Sequence, residues 1–166
     1  MPSRRTFLRA AGVGVPVALA GCLDSRERVE GYVQLKTIQA RETESSESAY
    51  DTIIDIEATY ENDTGPELTR LEEDWAAHFP VPRKPTVSDA LHETLTDQFE
   101  SVRYIVGVTS PGWADDGESV GSFNVATTRE NFNRVQVHSA VTVSSDGTSL
   151  TVHSVDGVWD FDAADG

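Results

Sequence analysis

Residues 135–161 read VQVHSAVTVSSDGTSLTVHSVDGVWDF. Val135, Val137, Val141 and Val143 alternate with polar or small residues as far as Asp146-Gly147. Leu150 and Val152 resume the pattern, Asp156-Gly157 follows, and then Trp159 and Phe161. Period-two alternation of β-branched residues marks strands covered on one side. Asp-Gly between two such runs is the strongest short-range hairpin signal. With both dipeptides in two-residue turns, Val143 faces Leu150, Val141 faces Val152, Ser154 faces Trp159 and Val152 faces Phe161. The large apolar partners then share one face, which a one-residue slip would destroy. The stretch predicts a three-stranded antiparallel meander.

The chain upstream supplies what this meander packs with. Val33, Leu35 and Thr37 alternate with Gln34, Lys36 and Ile38, predicting a strand over about 31–41. Tyr50 to Glu61 predicts a second, with Ile54, Ile56, Ala58 and Tyr60 on one face, so that the two form an N-terminal hairpin. Thr64 with Glu67 fits a capping box, Pro66 suits a first turn, and Leu68, Leu71, Trp75 and Phe79 recur at helical spacing. A helix with Trp75 in the core is the expectation there. Pro80, Pro82 and Pro85 stiffen a connector, and Ser88 opens a second helix with Leu91, Leu95, Phe99 and Val102 on one stripe. Further strands are expected over 103–109 and 121–126, with a helical turn at 128–132. The fold class is α+β: a mainly antiparallel sheet with an N-terminal hairpin, two amphipathic helices laid on it and the C-terminal meander.

The chain has 166 residues, 13 basic and 28 acidic, for a net charge of −15. Nothing in it could neutralise a run of phosphates, so no nucleic-acid partner is expected. Ser3-Arg4-Arg5-Thr6-Phe7-Leu8-Arg9 is a basic segment without acids; an apolar run over residues 10–20 follows, then Leu19-Ala20-Gly21-Cys22. Eleven lean apolar residues fall short of the roughly 20 that span a bilayer, and the order basic, apolar, small is that of an export signal. Cys22 is the one cysteine, so no intramolecular disulfide forms.

Arg4, Arg5, Phe7 and Leu8 resemble the twin-arginine (Tat) signal, and Leu19-Ala20-Gly21-Cys22 resembles a lipobox, cut between Gly21 and Cys22 with lipid on the cysteine sulfur. With the acid-rich, lysine-poor remainder (Lys36 and Lys84 are the only lysines), the chain resembles a Tat-exported lipoprotein of halophilic archaea. The resemblance covers residues 3–22 and the acidic style of the rest; the globular part resembles no characterised family. It implies a signal peptide over 1–21 and a lipidated Cys22 and tether over 22–30; length and patterning make residues 31–166 one globular α+β domain. It also implies passage through the Tat translocase and residence at the outer face of the cell membrane. Loss of residues 1–21 removes three arginines and no acid, so the mature charge deepens to −18. Molar salt shortens the Debye length to about 3 Å and screens that self-repulsion.

The motifs that carry chemistry are thin. Gly117-Glu118-Ser119-Val120-Gly121 has the letters of a nucleophile elbow, but an acidic loop precedes Ser119 and a strand is expected after it, where the elbow needs a helix. His92-Glu93-Thr94-Leu95-Thr96 opens like a zinc-peptidase helix but lacks its second histidine, which leaves His92 a surface residue. In the meander register His138 and His153 fall diagonal on the solvent face, with Asp160 opposite His153, a candidate zinc or copper site. Asp115-Asp116-Gly117-Glu118 lacks the alternation of a calcium loop. Asn62-Asp63-Thr64 is an N-glycosylation acceptor pattern, and Trp113 stands in a Gly- and Asp-rich loop suited to recognition. No cofactor motif is present. The expectation is a lipid-anchored binding or accessory domain, with a membrane protein as candidate partner. The alternative is a small extracytoplasmic hydrolase or metal-dependent enzyme built on Ser119 or the histidine pair.

Overall fold

The computed structural model describes residues 26–42, 49–60 and 65–161. The expectations for Arg4, Arg5, Phe7, Leu8, Gly21, Cys22 and Asn62 lie outside these residues. The architecture is α+β and mainly sheet. Seven antiparallel strands are β1 (Val29–Arg41), β2 (Asp51–Glu57), β3 (Glu67–Leu71), β4 (Ser101–Ser110), β5 (Gly121–Thr127), β6 (Ser139–Ser145) and β7 (Leu150–Val158). Helices α1 (Asp89–Gln98) and α2 (Arg129–Arg134) and 3₁₀ turns at Glu73–His78 and Pro111–Trp113 complete the described elements.

β1 is the spine. From Tyr32 to Arg41 it pairs with β4 along one side; along the other, its first residues pair with β6 and its later residues with β2. The sheet therefore forks at β1, running β3-β2-β1-β4-β5 on one path and branching to β6 and β7 on the other. A single bridge, Ala126 to Ser149, brings the start of β7 back to β5. Strands β1, β4, β5, β7 and β6 thus curl most of the way to a ring around Val33, Val106, Val108, Val125, Val141, Val143, Leu150 and Val152. Phe132 of α2 and Leu91 and Leu95 of α1 are buried in the same core.

Bulges decide which face each residue takes. The β1–β4 register shifts between Val33 and Leu35. Two residues then oppose one, so the side that faces the core changes parity along the strand. Val29 and Val33 are buried before the shift; Lys36, Ile38 and Ala40 are buried after it. This corrects the simple alternation that grouped Val33 with Leu35 and Thr37 and set Lys36 and Ile38 on the opposite face. The same device overturns the expected helix at Leu68–Phe79. A shift between Asp55 and Ile56 sets Leu68 opposite Ile56 and Leu71 opposite Ile54. A spacing of three, read as helical, is here a bulged strand with both leucines on the core side. Gly65, at φ 64°, turns the chain into it. Only the 3₁₀ turn at Glu73–His78 follows, and it delivers Trp75 and Phe79 to the core as expected.

The second helix matches its pattern: the Ser88 hydroxyl caps it by accepting from the Leu91 N–H at 3.1 Å, and Leu91 and Leu95 are buried. The C-terminal stretch needs correction in register. Val143 faces Val152, Ser145 faces Leu150 and Val141 faces Val155. The Asp146 carboxylate organises a longer turn, accepting from the N–H groups of Thr148 and Ser149 and from the Thr148 hydroxyl at 2.8–2.9 Å. Asp156-Gly157 makes no hairpin turn: it lies inside β7, where Gly157 takes φ 99°. Val135 and Val137 are buried ahead of β6 rather than within it.

Candidate functional site

The helices lie on one side of β1; the other side carries a corner of aromatic side chains. Tyr32 projects there, opposite Thr109 of β4. Past the end of β7 the chain folds over it. The Tyr32 and Trp159 rings are 5.6 Å apart between centroids, and Phe161 stands edge-on to Tyr32 at 4.9 Å and to Tyr60 at 5.9 Å. The Tyr32 and Tyr60 hydroxyls are 3.3 Å apart. Burial, with Tyr60 as neighbour, pushes the Tyr32 phenol up to about 12, so it stays a neutral donor at any ordinary pH. Beside it runs an uncharged ladder: the Thr109 hydroxyl donates to Gln34 Oε1 at 2.9 Å and lies 2.7 Å from the Ser122 hydroxyl, and Gln34 Nε2 donates to Asn124 Oδ1 at 3.1 Å.

His138 holds the corner together under strain. Residues 136–139 form a turn closed by the Ser139 N–H donating to the Gln136 carbonyl at 2.9 Å. His138 occupies its third position with φ 75°, the single non-glycine positive φ among the described residues. That position of a type II turn ordinarily takes glycine or asparagine, and a side chain there costs on the order of 1 kcal/mol. Two backbone bonds fix it: the His138 N–H donates to the Val33 carbonyl at 2.8 Å, and the Trp159 N–H donates to the His138 carbonyl at 2.9 Å. The ring stands edge-on to Phe161 at 5.2 Å. Its Nε2 is the one buried side-chain polar atom without a hydrogen-bond partner among the described residues. Strain and a buried polar atom without a partner thus coincide at one residue.

Exposed apolar side chains stand around this corner, with the exposed carboxylates of Asp156 and Asp160 among them. Tyr60 and Val158 are 67% and 77% exposed, and Val155 is exposed beside them on β7. β7 pairs only with β6 along its length, and Arg134 of α2 occupies part of its outer edge, donating to the Val152 carbonyl at 2.7 Å. A strained histidine, a wall of rings and exposed valines can bind; among the described residues they present no nucleophile beside a base.

The other anticipated residues lie apart. Ser119 sits exposed in the loop before β5, with a strand after it, so the elbow geometry is absent. His92 is half-buried, and its Nδ1 lies 2.7 Å from the Tyr104 hydroxyl, pinning α1 to β4; it is a structural residue and not a surface one. His138, His153 and Asp160 do not converge. His153 Nε2 is 2.9 Å from the Ser144 hydroxyl, His138 is in the turn, and no set of three metal-ligating residues forms among the described residues. Trp113 is half-buried in its 3₁₀ turn, edge-on to Phe123 at 5.0 Å.

Lys36 is the residue that pattern reading missed. It is 0% exposed. Its Nζ donates to the Pro85 carbonyl at 2.7 Å, the Val135 carbonyl at 2.8 Å and Gln136 Oε1 at 3.2 Å, and lies 4.0 Å from the centre of the Phe132 ring. Three donors meet three acceptors over an aromatic face, with no carboxylate. Burial pushes its pKa down to about 7. As the ammonium, Lys36 uses all three N–H groups to tie the proline connector and the chain before β6 to the centre of β1. No protein-family model, curated protein or solved structure matches this chain.

Proposed function

We propose that the protein is a lipid-anchored accessory domain at the outer face of the cell membrane, and that it binds a protein partner through the His138 corner. The anchor half of this reading rests on Ser3–Cys22, where a twin-arginine motif, a short apolar run and a lipobox follow one another at working distances. The binding half rests on His138. A strained turn and an orphan imidazole nitrogen cost stability, and aromatic side chains at an exposed apolar edge are the usual anchors of protein interfaces. A protein partner is favoured over a small molecule because the rings pack directly on one another, leaving a surface to cover and no cage to fill.

The test is crosslinking in intact cells at native salt, followed by mass spectrometry of what the protein captures. The expected result is one dominant membrane protein whose capture is lost with Val158→Asp and with His138→Gly, both variants remaining membrane-bound. Cys22→Ser should release the domain into the medium. Retention of Cys22→Ser in the membrane would refute the anchor, and undiminished capture by both corner variants would refute the interface.

A further inference from the structure

We infer that the end of the domain formed by Trp113, Val120 and Phe123 rests on the lipid surface, so that the domain stands in a defined orientation with β1 running away from the membrane. The inference rests on the lipid-anchor reading and adds a contact and a direction to it. Three residues, and so four Cα–Cα steps, separate Cys22 from Arg26. At no more than about 3.6 Å per residue they span at most about 14 Å. Arg26 is held to the body of the domain by an ion pair with Asp146 at 2.7 Å, and β1 begins at Val29. The anchored end is therefore the one that carries the β6–β7 turn and the start of β1.

The Pro111–Trp113 turn is at that same end. The Ser110 hydroxyl donates to the Glu30 carbonyl at 2.6 Å, and Gly112 lies so close to Val29 that a Cβ on it would collide with the valine side chain. Trp113 packs edge-on to Phe123, and Val120 and Phe123 remain 41% and 40% exposed. A tryptophan with apolar neighbours, held within reach of a bilayer, is the residue type that settles at the headgroup level.

Asp115, Asp116 and Glu118 border the same patch. They give the contact an unusual signature. Against anionic headgroups these carboxylates repel at low ionic strength, and the repulsion fades as the Debye length falls to about 3 Å near 1 M salt. Contact should strengthen as salt rises, opposite to the behaviour of a basic lipid-binding patch.

The experiment uses the full protein extracted from its native membrane and reconstituted into vesicles of that membrane's lipids, some carrying a bromine quencher near the headgroup. Trp75→Phe and Trp159→Phe leave Trp113 as the reporter. The expected result is vesicle-bound protein whose Trp113 emission is largely lost to the quencher in molar KCl and recovers as salt is lowered. Hydrogen exchange on the unaltered chain gives a second readout that needs no substitution: residues 111–123 should exchange more slowly on vesicles than after detergent release. Protein that fails to float with the vesicles would overturn the anchor and this inference together. Bound protein with unquenched Trp113 and unchanged exchange would overturn this inference alone. Protection lost on removing other membrane proteins while lipid is retained would assign the patch to a protein and refute the lipid contact.

Discussion

Lys36→Met tests whether burial controls the ammonium at the centre of the sheet. The methionine keeps an unbranched side chain, one atom shorter, and removes its charge. In the native chain burial takes the pKa of Lys36 from 10.5 to about 7. Between these values the unfolded chain holds a proton that the folded chain has released, so stability rises with pH across that window. The penalty is fully present below about pH 7 and is relieved as pH approaches 10.5. At roughly 1.4 kcal/mol per pKa unit the relief is at most about 5 kcal/mol. The Pro85 and Val135 carbonyls, Gln136 Oε1 and the Phe132 face all favour the charged form and pull the figure down. A rise of about 2–4 kcal/mol is expected. Lys36→Met has no proton to release, but it leaves those acceptors without their donor at every pH, each unsatisfied group costing on the order of 1–3 kcal/mol. The assay is chemical denaturation of both proteins from pH 6 to 10.5 at constant molar salt, reading the native-minus-variant difference. That difference should climb with pH in favour of the native chain. A flat difference would refute the reasoning, because the ammonium would then be as well accommodated in the fold as in water.

Three further outcomes follow from particular contacts. His138→Gly should raise thermal stability by about 1 kcal/mol, since it relieves the positive φ and removes the orphan Nε2 at the loss of one edge-on ring contact; a melting temperature below the native one would show that the ring contact outweighs both. Hydrogen bonds from Thr148 and Ser149, with Arg26 nearby, hold the Asp146 carboxyl well below its ordinary range. Its stabilisation is therefore present above about pH 4 and is lost as pH falls further. The stability difference between native and Asp146→Ala should narrow as pH falls below 4, and a constant difference would contradict it. A Cβ on Gly107 would collide with the Asn124 side chain and crowd Leu35, so Gly107→Ala should break the Gln34–Asn124 bond and cost about 1–3 kcal/mol in denaturation; a neutral result would mean that the ladder relaxes freely.

How much of this was legible in the sequence depended on where the strands kept strict period. Helix α1 was readable because a cap, Ser88, and a buried stripe, Leu91 and Leu95, said the same thing. β4 and β5 run in unbroken register with each other, and their expected ranges hold within a few residues. The errors in strand facing and in the first expected helix share one cause. Each falls where a register shift breaks the period: Val33–Leu35 in β1, Asp55–Ile56 beside β3, and two places along β6 and β7. A bulge adds a residue without any required residue type, so a single sequence carries no mark of it, and the spacing it produces imitates a helix.

Lys36 was hidden by the same effect, and His138 by another. Lys36 is buried because the bulge two residues before it turns its side chain inward, where sheet alternation had set it on the face opposite Val33. His138 lies in a turn that lacks the glycine or asparagine by which such turns are recognised. Yet the residues that contradict local preference are the ones with most to explain. A surface-type cation lies in the core, and a histidine sits where glycine belongs. Lys36 repays its misplacement through three hydrogen bonds and an aromatic face, and so needs no further role. His138 has no such return, because its Nε2 is left without a partner. That asymmetry is why the proposed interface is set at the His138 corner and not at Lys36.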